Sequence, residues 1–276
     1  MKNHTRNTLT LKCALLAIAG SLSGCVQFTP VKDIAKDKPA YLAANFTIDS
    51  LPTSIKEKLP AAGSHPLPFK LLTITGVVSG HVGANNVSSE FKSTLVNAKD
   101  TGLVQQLHEV SSNGIPSAAT FSLSYLNLFY LKSETTSYFQ PVAPMPIVAH
   151  SVEKNPFDMS KPQEDTTFSA TFTSGTAVQL VNFRVVVSTC HAAHYYPASR
   201  VTAGLQGDAI DLDCEDRIDN ILQTTSRRTY LTEYGIYVMR TSATAAAKLE
   251  WKYSAFEKDG QHPQSGPGGA GHDKPA

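Results

Sequence analysis

Apolar and polar residues alternate along most of the chain, which predicts a protein built mainly of β-strands. The segment 208–215 places Ile210, Leu212 and Cys214 on one face and three acidic residues on the other. The segment 121–132 is apolar on both faces, which is typical of a central strand that is buried on both sides. We therefore expect a mainly β protein: an antiparallel β-sandwich-like body with a few short helices.

Three short helical segments are also predicted. Ser54 is a suitable N-cap for one turn that ends before Pro60. The segment 102–110 has apolar residues at helical spacing. A third helix is expected to begin at Asp213 or Asp216.

The body of the chain is expected to have two β-rich parts, 47–140 and 167–256. The segment 123–136 aligns without a gap on 231–244, which suggests related halves, although β-rich segments also align by chance. A proline-rich segment, 141–166, lies between the two parts. It is either a linker between domains or a long loop that crosses a single sandwich.

The first 24 residues have the three-part form of a secretory signal: a basic start, a short apolar run and small residues before Cys25. The apolar run, 13–22, is too short for a membrane span, which needs roughly 20 residues. The motif Leu22-Ser23-Gly24-Cys25 resembles the lipobox of bacterial lipoproteins. The resemblance implies cleavage before Cys25 and lipid attachment to its sulfur. The alternative is an ordinary secreted protein with a chance cysteine at the cleavage site.

The same resemblance implies a location. In Gram-negative lipoproteins an aspartate after the cysteine favours the inner membrane, and this chain has Val26 there. We therefore expect an envelope protein that is lipid-anchored at the outer membrane. Residues 25–46 are predicted to be a tether, and the glycine- and proline-rich tail, 257–276, is predicted to be disordered.

Charge limits the partners of the chain. The signal removes three of the 24 basic residues and none of the 23 acidic ones, which leaves 21 against 23 and a net charge of −2. Nucleic-acid-binding proteins are typically strongly basic, so no nucleic-acid partner is expected. The expected partners are a membrane, reached through the N-terminal lipid, and an envelope protein or glycan.

Two cysteines remain after the signal and the anchor are accounted for, Cys190 and Cys214. In an exported protein such a pair predicts a disulfide, which would contribute about 3.5 kcal/mol in the chain-entropy model. The alternative is a pair of free thiols or metal ligands.

The densest polar cluster flanks this cysteine pair and supplies the candidate binding residues. Zinc is not predicted, because two histidines three residues apart do not share a face of a strand. Calcium is not predicted either, because the acidic run lacks the glycine and the spacing of an EF-hand. We predict no cofactor. The candidates are His191, His194, Tyr195, Tyr196, Arg200, Asp211 and Asp213.

No G-x-S-x-G motif, P-loop or dinucleotide fingerprint occurs in the chain, and no catalytic residue is assigned. We expect a binding or structural module for another envelope component. The alternative is an envelope hydrolase with a site near Cys190 and Cys214. Tyr195 and Tyr196, beside Pro197, would form an exposed contact surface in the first case, unless they pack on the edge of the sandwich.

Overall fold

Twelve antiparallel strands form a closed barrel in the computed structural model, which describes residues 28–154, 157 and 161–260. Each strand pairs with its neighbours in sequence, and the last strand pairs with the first. The prediction of a mainly β, antiparallel protein is confirmed. The predicted sandwich is wrong, because pairing of the first and last strands closes one continuous sheet. The strands are β1 (Leu71–Val82), β2 (Asn85–Asn97), β3 (Leu103–Ser112), β4 (Ile115–Tyr125), β5 (Phe129–Ser137), β6 (Ile147–Lys154), β7 (Thr167–Thr176), β8 (Arg184–Pro197), β9 (Asp208–Ile218), β10 (Ile221–Leu231), β11 (Ile236–Ala243) and β12 (Ala247–Lys258).

The described helices are short. The turn predicted after Ser54 is confirmed as α3 (Thr53–Lys56). Two further helices lie in the segment expected to be a tether, α1 (Val31–Lys36) and α2 (Lys38–Asn45). Two 3₁₀-helices are Ile48–Ser50 and Ala198–Arg200.

The other two predicted helices are wrong. The segment 102–110 is mostly strand β3, and the segment after Asp213 is the β9–β10 hairpin. Both faces of the first half of β3 are buried, so its apolar residues fit helical spacing as well as strand spacing.

Two glycines let β1 approach β12 closely enough to close the barrel. A Cβ added at Gly76 would lie 2.1 Å from the carbonyl oxygen of Lys252, and one added at Gly80 would lie 2.0 Å from that of Lys248. The register between the strands shifts between Thr75 and Gly76, at a β-bulge. Closure therefore depends on positions that have no side chain.

Two joins in the barrel are weak. β5 and β6 share only the pairs Lys132–Val148 and Ser133–Ile147, and β11 and β12 share three pairs, from Thr241–Glu250 to Ala243–Lys248. The two joins divide the barrel into a group of β12 with β1 to β5 and a group of β6 to β11. The segments predicted to be related, 123–136 and 231–244, lie in β4–β5 and β10–β11, six strands apart. The proline-rich segment 141–166 contains β6 and connects strands of this one barrel.

The N-terminal helices cover the outer face of β3, β4 and β5. Phe46, after α2, stacks on Phe121 of β4 with the ring centroids 5.9 Å apart, and Tyr41 packs edge-on against Phe121 at 5.0 Å. The hydroxyl of Tyr41 donates to the buried carboxylate of Glu134, at 2.9 Å. Burial beneath the helices raises the pKa of the Glu134 carboxyl above its ordinary value.

The segment 121–132 is buried on both sides in its first part, as predicted, but Tyr130 in β5 is 37% exposed. Residues 121–125 lie in β4 and are fully buried between the helices and the barrel interior. The segment is not one strand, however, because a turn at 126–128 leads into β5. Leu126 and Asn127 both have positive φ there, a conformation that the apolar pattern does not reveal.

The predicted disulfide is confirmed. Cys190 of β8 and Cys214 of β9 are directly opposed in the strand register, with their Cα atoms 4.0 Å apart, and both are buried.

We predict that Gly76→Ala destabilises the barrel by about 1–3 kcal/mol, because the new methyl group would overlap the Lys252 carbonyl and force β1 away from β12. Chemical denaturation measures the free energy of unfolding. Ser79→Ala on the same strand is the control and should change it little. Equal stability of Gly76→Ala and the parent protein would contradict this account of closure.

Candidate functional site

The two predicted histidines lie on the outer surface of the barrel. His191 is exposed on β8, and its Nδ1 is 3.1 Å from the hydroxyl of Thr167. His194 is also exposed, with ring nitrogens 3.6 Å from Glu164 and 3.7 Å from Asp165. These are solvated contacts, which contribute little to stability.

The two predicted tyrosines are half-buried and pack against the core, so they do not form an exposed tip. The Tyr195 hydroxyl donates to the backbone carbonyl of Pro162 at 2.7 Å. The Tyr196 hydroxyl donates to Asp211 at 2.7 Å. Burial, together with this bond, raises the pKa of Tyr196 to about 12, so it remains a protonated donor.

The remaining predicted residues lie around Tyr196. Arg200 lies 6.0 Å from the centroid of the Tyr196 ring, and Asp211 accepts a second hydrogen bond, from Thr229. Asp213 forms a two-point contact with Arg227.

The structure thus brings Tyr196, Arg200 and Asp211 together, with Asp213 beside them. His191 is opposite Asp213 in the strand register, and His194 lies apart. The carboxylates of Asp211 and Asp213 already accept from Tyr196, Thr229 and Arg227, so the cluster offers no converging pair of acid and base. Within the described part of the chain, no group of three or more His, Cys, Asp or Glu residues is arranged to hold a metal ion.

The barrel interior holds a different candidate site, which consists of two chambers. The first chamber, of about 210 Å³, lies where β11 and β12 separate, and we call it the β11–β12 chamber. Tyr253 bridges the gap between these strands, because its hydroxyl donates to the Met239 carbonyl. The chamber is lined by Ile74, Phe91, Ser93, Gln106, His108, Thr120, Asn127, Tyr130, Arg228, Val238, Met239, Trp251 and Tyr253.

The second chamber, of about 330 Å³, includes the weak join between β5 and β6, and we call it the β5–β6 chamber. Its lining reaches Ser174, Val186 and Ile218, which lie near the turns 177–183 and 219–220 at one end of the barrel. The full lining is Leu128, Phe129, Tyr130, Ser133, Ile147, Ala149, Phe172, Ser174, Val186, Ser188, Asp216, Ile218, Gln223, Thr224 and Arg228.

Tyr130 and Arg228 line both chambers. Arg228 is buried, and its Nη1 donates to the Leu128 carbonyl at 2.8 Å. Its nearest described counter-charge is Asp216, at 3.8 Å, which is too long for a hydrogen bond. A buried cation is costly unless it is closely paired, so Arg228 marks the place where the cavity is best suited to an anionic group.

Neutral polar groups complete the β11–β12 chamber. Burial lowers the pKa of His108 to about 4, so its ring is neutral near pH 7, and its Nδ1 lies 2.7 Å from the hydroxyl of Ser93. Asn127 donates to the Tyr237 carbonyl at 3.0 Å, while its own carbonyl oxygen is buried with no partner among the described residues. The chamber therefore combines aromatic walls with an acceptor that is free to bind a ligand.

The sequence contained a signal for this interior site. Arg227 and Arg228 are consecutive residues of a predicted β region, and consecutive strand residues point to opposite faces. One arginine of such a pair must face the interior, and this one is Arg228. The outward residue, Arg227, pairs with Asp213.

Comparisons with known proteins reveal no family. No protein-family model matches the chain, and no curated protein sequence matches it. The fold is similar to a β-barrel-like protein of the domain of unknown function DUF1849 from Brucella abortus, at 8% identity and a TM-score of 0.47, over 70% of this chain and 99% of that one. It is also similar to a DUF1329 family protein from Desulfovibrio piger, at 10% identity and a TM-score of 0.35, over 70% of this chain and 87% of that one.

We predict that His108 makes the protein less stable in acid. The unfolded histidine takes up a proton below pH 6.5, whereas the folded one does so only near pH 4, so stability is lost as the pH falls through this window and is unaffected above it. When the pH falls from 7 to 4.5, the free energy of unfolding of His108→Gln should decrease by about 2 kcal/mol less than that of the parent protein, as measured by denaturant titration. The exposed His81→Gln is the control. Parallel pH profiles for the parent and His108→Gln would show that the ring is not buried in its neutral form.

Proposed function

We propose that this protein is a lipid-anchored envelope protein that binds an amphiphilic ligand inside its barrel. The apolar part of the ligand occupies the chambers, and an anionic group of the ligand pairs with Arg228. The observation that carries the proposal is the convergence of two apolar chambers on one buried, incompletely paired arginine.

The size and lining of the interior support this ligand class. The β5–β6 chamber is within the range of about 300–1,000 Å³ that is typical of small-molecule sites, and such sites combine mostly apolar walls with a few placed polar groups. Phe129, Ile147 and Phe172 supply apolar wall, and Asn127 supplies an acceptor for a donor on the ligand.

The compartment is the second part of the proposal. The signal-like residues 1–24 and the lipobox-like motif that ends at Cys25 support export and lipid anchoring. Both lie outside the described residues. The Cys190–Cys214 disulfide supports an oxidising compartment, because disulfides persist mainly outside the cytosol. Within the described part of the chain, no helix has the length and hydropathy needed to cross a bilayer.

Ligand binding is tested with a fluorescent long-chain fatty acid and the protein carrying Cys25→Ser. Ala149→Trp should fill the β5–β6 chamber and weaken binding at least tenfold, because Ala149 is buried in its wall. Ala193→Trp, at an exposed position of β8, is the matched control and should bind as the parent does. Circular dichroism establishes that each variant is folded.

The role of Arg228 is tested separately with a fatty acid and the alcohol of the same chain length. Arg228→Gln should weaken binding of the acid roughly tenfold and leave binding of the alcohol nearly unchanged, because only the acid carries a charge to pair. Equal loss for both ligands would assign Arg228 a structural role. Failure of the parent protein to bind either ligand would refute the proposed ligand class.

The anchor is tested by metabolic labelling of cells with a labelled fatty acid. The parent protein should carry the label through denaturing electrophoresis, and Cys25→Ser should not, because covalent lipid attachment needs the thiol. Equal labelling of the parent protein and Cys25→Ser would exclude the anchor.

A further inference from the structure

The two ends of the barrel differ in charge and hydropathy. We call the end that carries the turns 83–84, 113–114, 138–146, 177–183, 219–220 and 244–246 the apolar end. In these turns Asp219 is the one charged residue, and it pairs with Arg184. Arg184, Arg217 and Lys248 lie within two residues of the turns. The connections at the opposite end, which we call the charged end, include Lys99, Asp100, Arg200 and Glu233.

Exposed hydrophobic side chains are concentrated at the apolar end. Among the described residues, eleven of the fourteen large hydrophobic side chains that are exposed lie in the turns of this end or within two residues of them. Leu180 is 86% exposed, Phe139 80% and Val181 67%. Soluble surfaces rarely collect so many apolar groups in one place unless the surface binds a partner or a membrane.

The described chain also begins at this end. Val31 donates to the Pro141 carbonyl at 3.1 Å, and the Ala143 amide donates to the Thr29 carbonyl at 3.0 Å, so the residues before α1 are attached to the turn 138–146. Phe28 precedes this attachment and is 52% exposed. Cys25 is three residues earlier, and three residues of fully extended chain span at most about 11 Å. The proposed lipid therefore lies close to the apolar end.

We infer that the apolar end is a membrane-docking surface, which rests on a lipid bilayer and inserts Leu180, Val181 and Phe139 among the acyl chains. The inference rests on the lipid anchor proposed for Cys25, which fixes the occupant as lipid. The turns themselves carry a single charged residue, which is paired, and this fits insertion of the turns among acyl chains.

Docking also determines which way the β5–β6 chamber faces. Its lining extends to the strand ends beside the turns 177–183 and 219–220, which belong to the apolar end. A barrel that rests on this end presents the chamber to the bilayer. An amphiphile in the membrane then reaches Arg228 without crossing water.

The experiment measures vesicle binding by the protein carrying Cys25→Ser, so that the anchor does not contribute. The vesicles contain phosphatidylethanolamine and phosphatidylcholine. The parent of this series should co-sediment with them, and the added changes Leu180→Asp and Val181→Asp should lower its partition at least tenfold, because buried carboxylates are costly. Binding should persist at 1 M salt, since apolar insertion is not screened.

Leu71→Asp is the matched control, because Leu71 is 40% exposed at the first position of β1, at the charged end. It should bind vesicles as the parent does. Equal losses for the control and the double variant, or no binding of the parent, would overturn the inference.

Two readouts separate this inference from the proposed function. The double variant should keep its affinity for the fluorescent fatty acid, because neither changed residue lines a chamber. Analytical ultracentrifugation tests a second copy of the chain as the occupant. The contrary outcome is a parent that forms dimers, which the double variant does not form, and that fails to bind vesicles. That result would assign the surface to self-association and refute membrane docking.

Discussion

Closure of the sheet between β1 and β12 is the constraint on which the rest of the structure depends. The pairing joins residues 72–82 to residues 247–258, which are separated by most of the chain. Such long-range pairing is slow and costs loop entropy. It creates an interior that is shielded on all sides by one sheet, and it requires backbones to approach at Gly76 and Gly80 more closely than any side chain permits.

The interior that closure creates is not filled in the manner of a stable core. Near Tyr125 and Tyr237 the barrel is tightly packed, and the Tyr125 hydroxyl donates to the Phe157 carbonyl at 2.7 Å. Around Arg228 the packing gives way to two chambers at the places where the strand ladders are incomplete. Apolar side chains of similar volume would have stabilised this region more than a loosely paired cation does. The arrangement lowers stability and leaves room for a ligand.

Much of the fold could be predicted from local patterns, because strand alternation and turn residues act over short distances. The inward face of β9, with Ile210, Leu212 and Cys214, is an example, and so is the disulfide. Alternation is the same on the inner face of a sandwich and of a barrel, however, so it could not distinguish the two. That distinction is made by the pairing of β1 with β12, which the sequence does not display.

The candidate site was less predictable for a related reason. A search for dense polar sequence found the outer face of β8 and β9, where Asp211 accepts hydrogen bonds from Tyr196 and Thr229 and Asp213 pairs with Arg227. The interior site is assembled from one to three residues of each of the twelve strands and from the turn at 126–128, so no short motif encodes it. Consecutive charged residues are the local signal of an inward charge, as in Arg227 with Arg228 on β10 and Glu215 with Asp216 on β9.

Charged residues on the barrel wall restrict how the barrel can contact a membrane. The exposed face of β12 carries Lys248, Glu250 and Lys252, and such charged residues are costly to place among acyl chains, so this part of the wall favours water. In the turns of the apolar end the single charged residue, Asp219, is paired with Arg184, so the penalty there is smaller. Since Thr29 and Val31 hold the start of the described chain against the turn 138–146, an anchor at Cys25 would pull on that same end. The position of the anchor and the distribution of charge thus favour the same orientation. In it the apolar end faces the membrane, and the N-terminal helices, at the side of the barrel, lie in water.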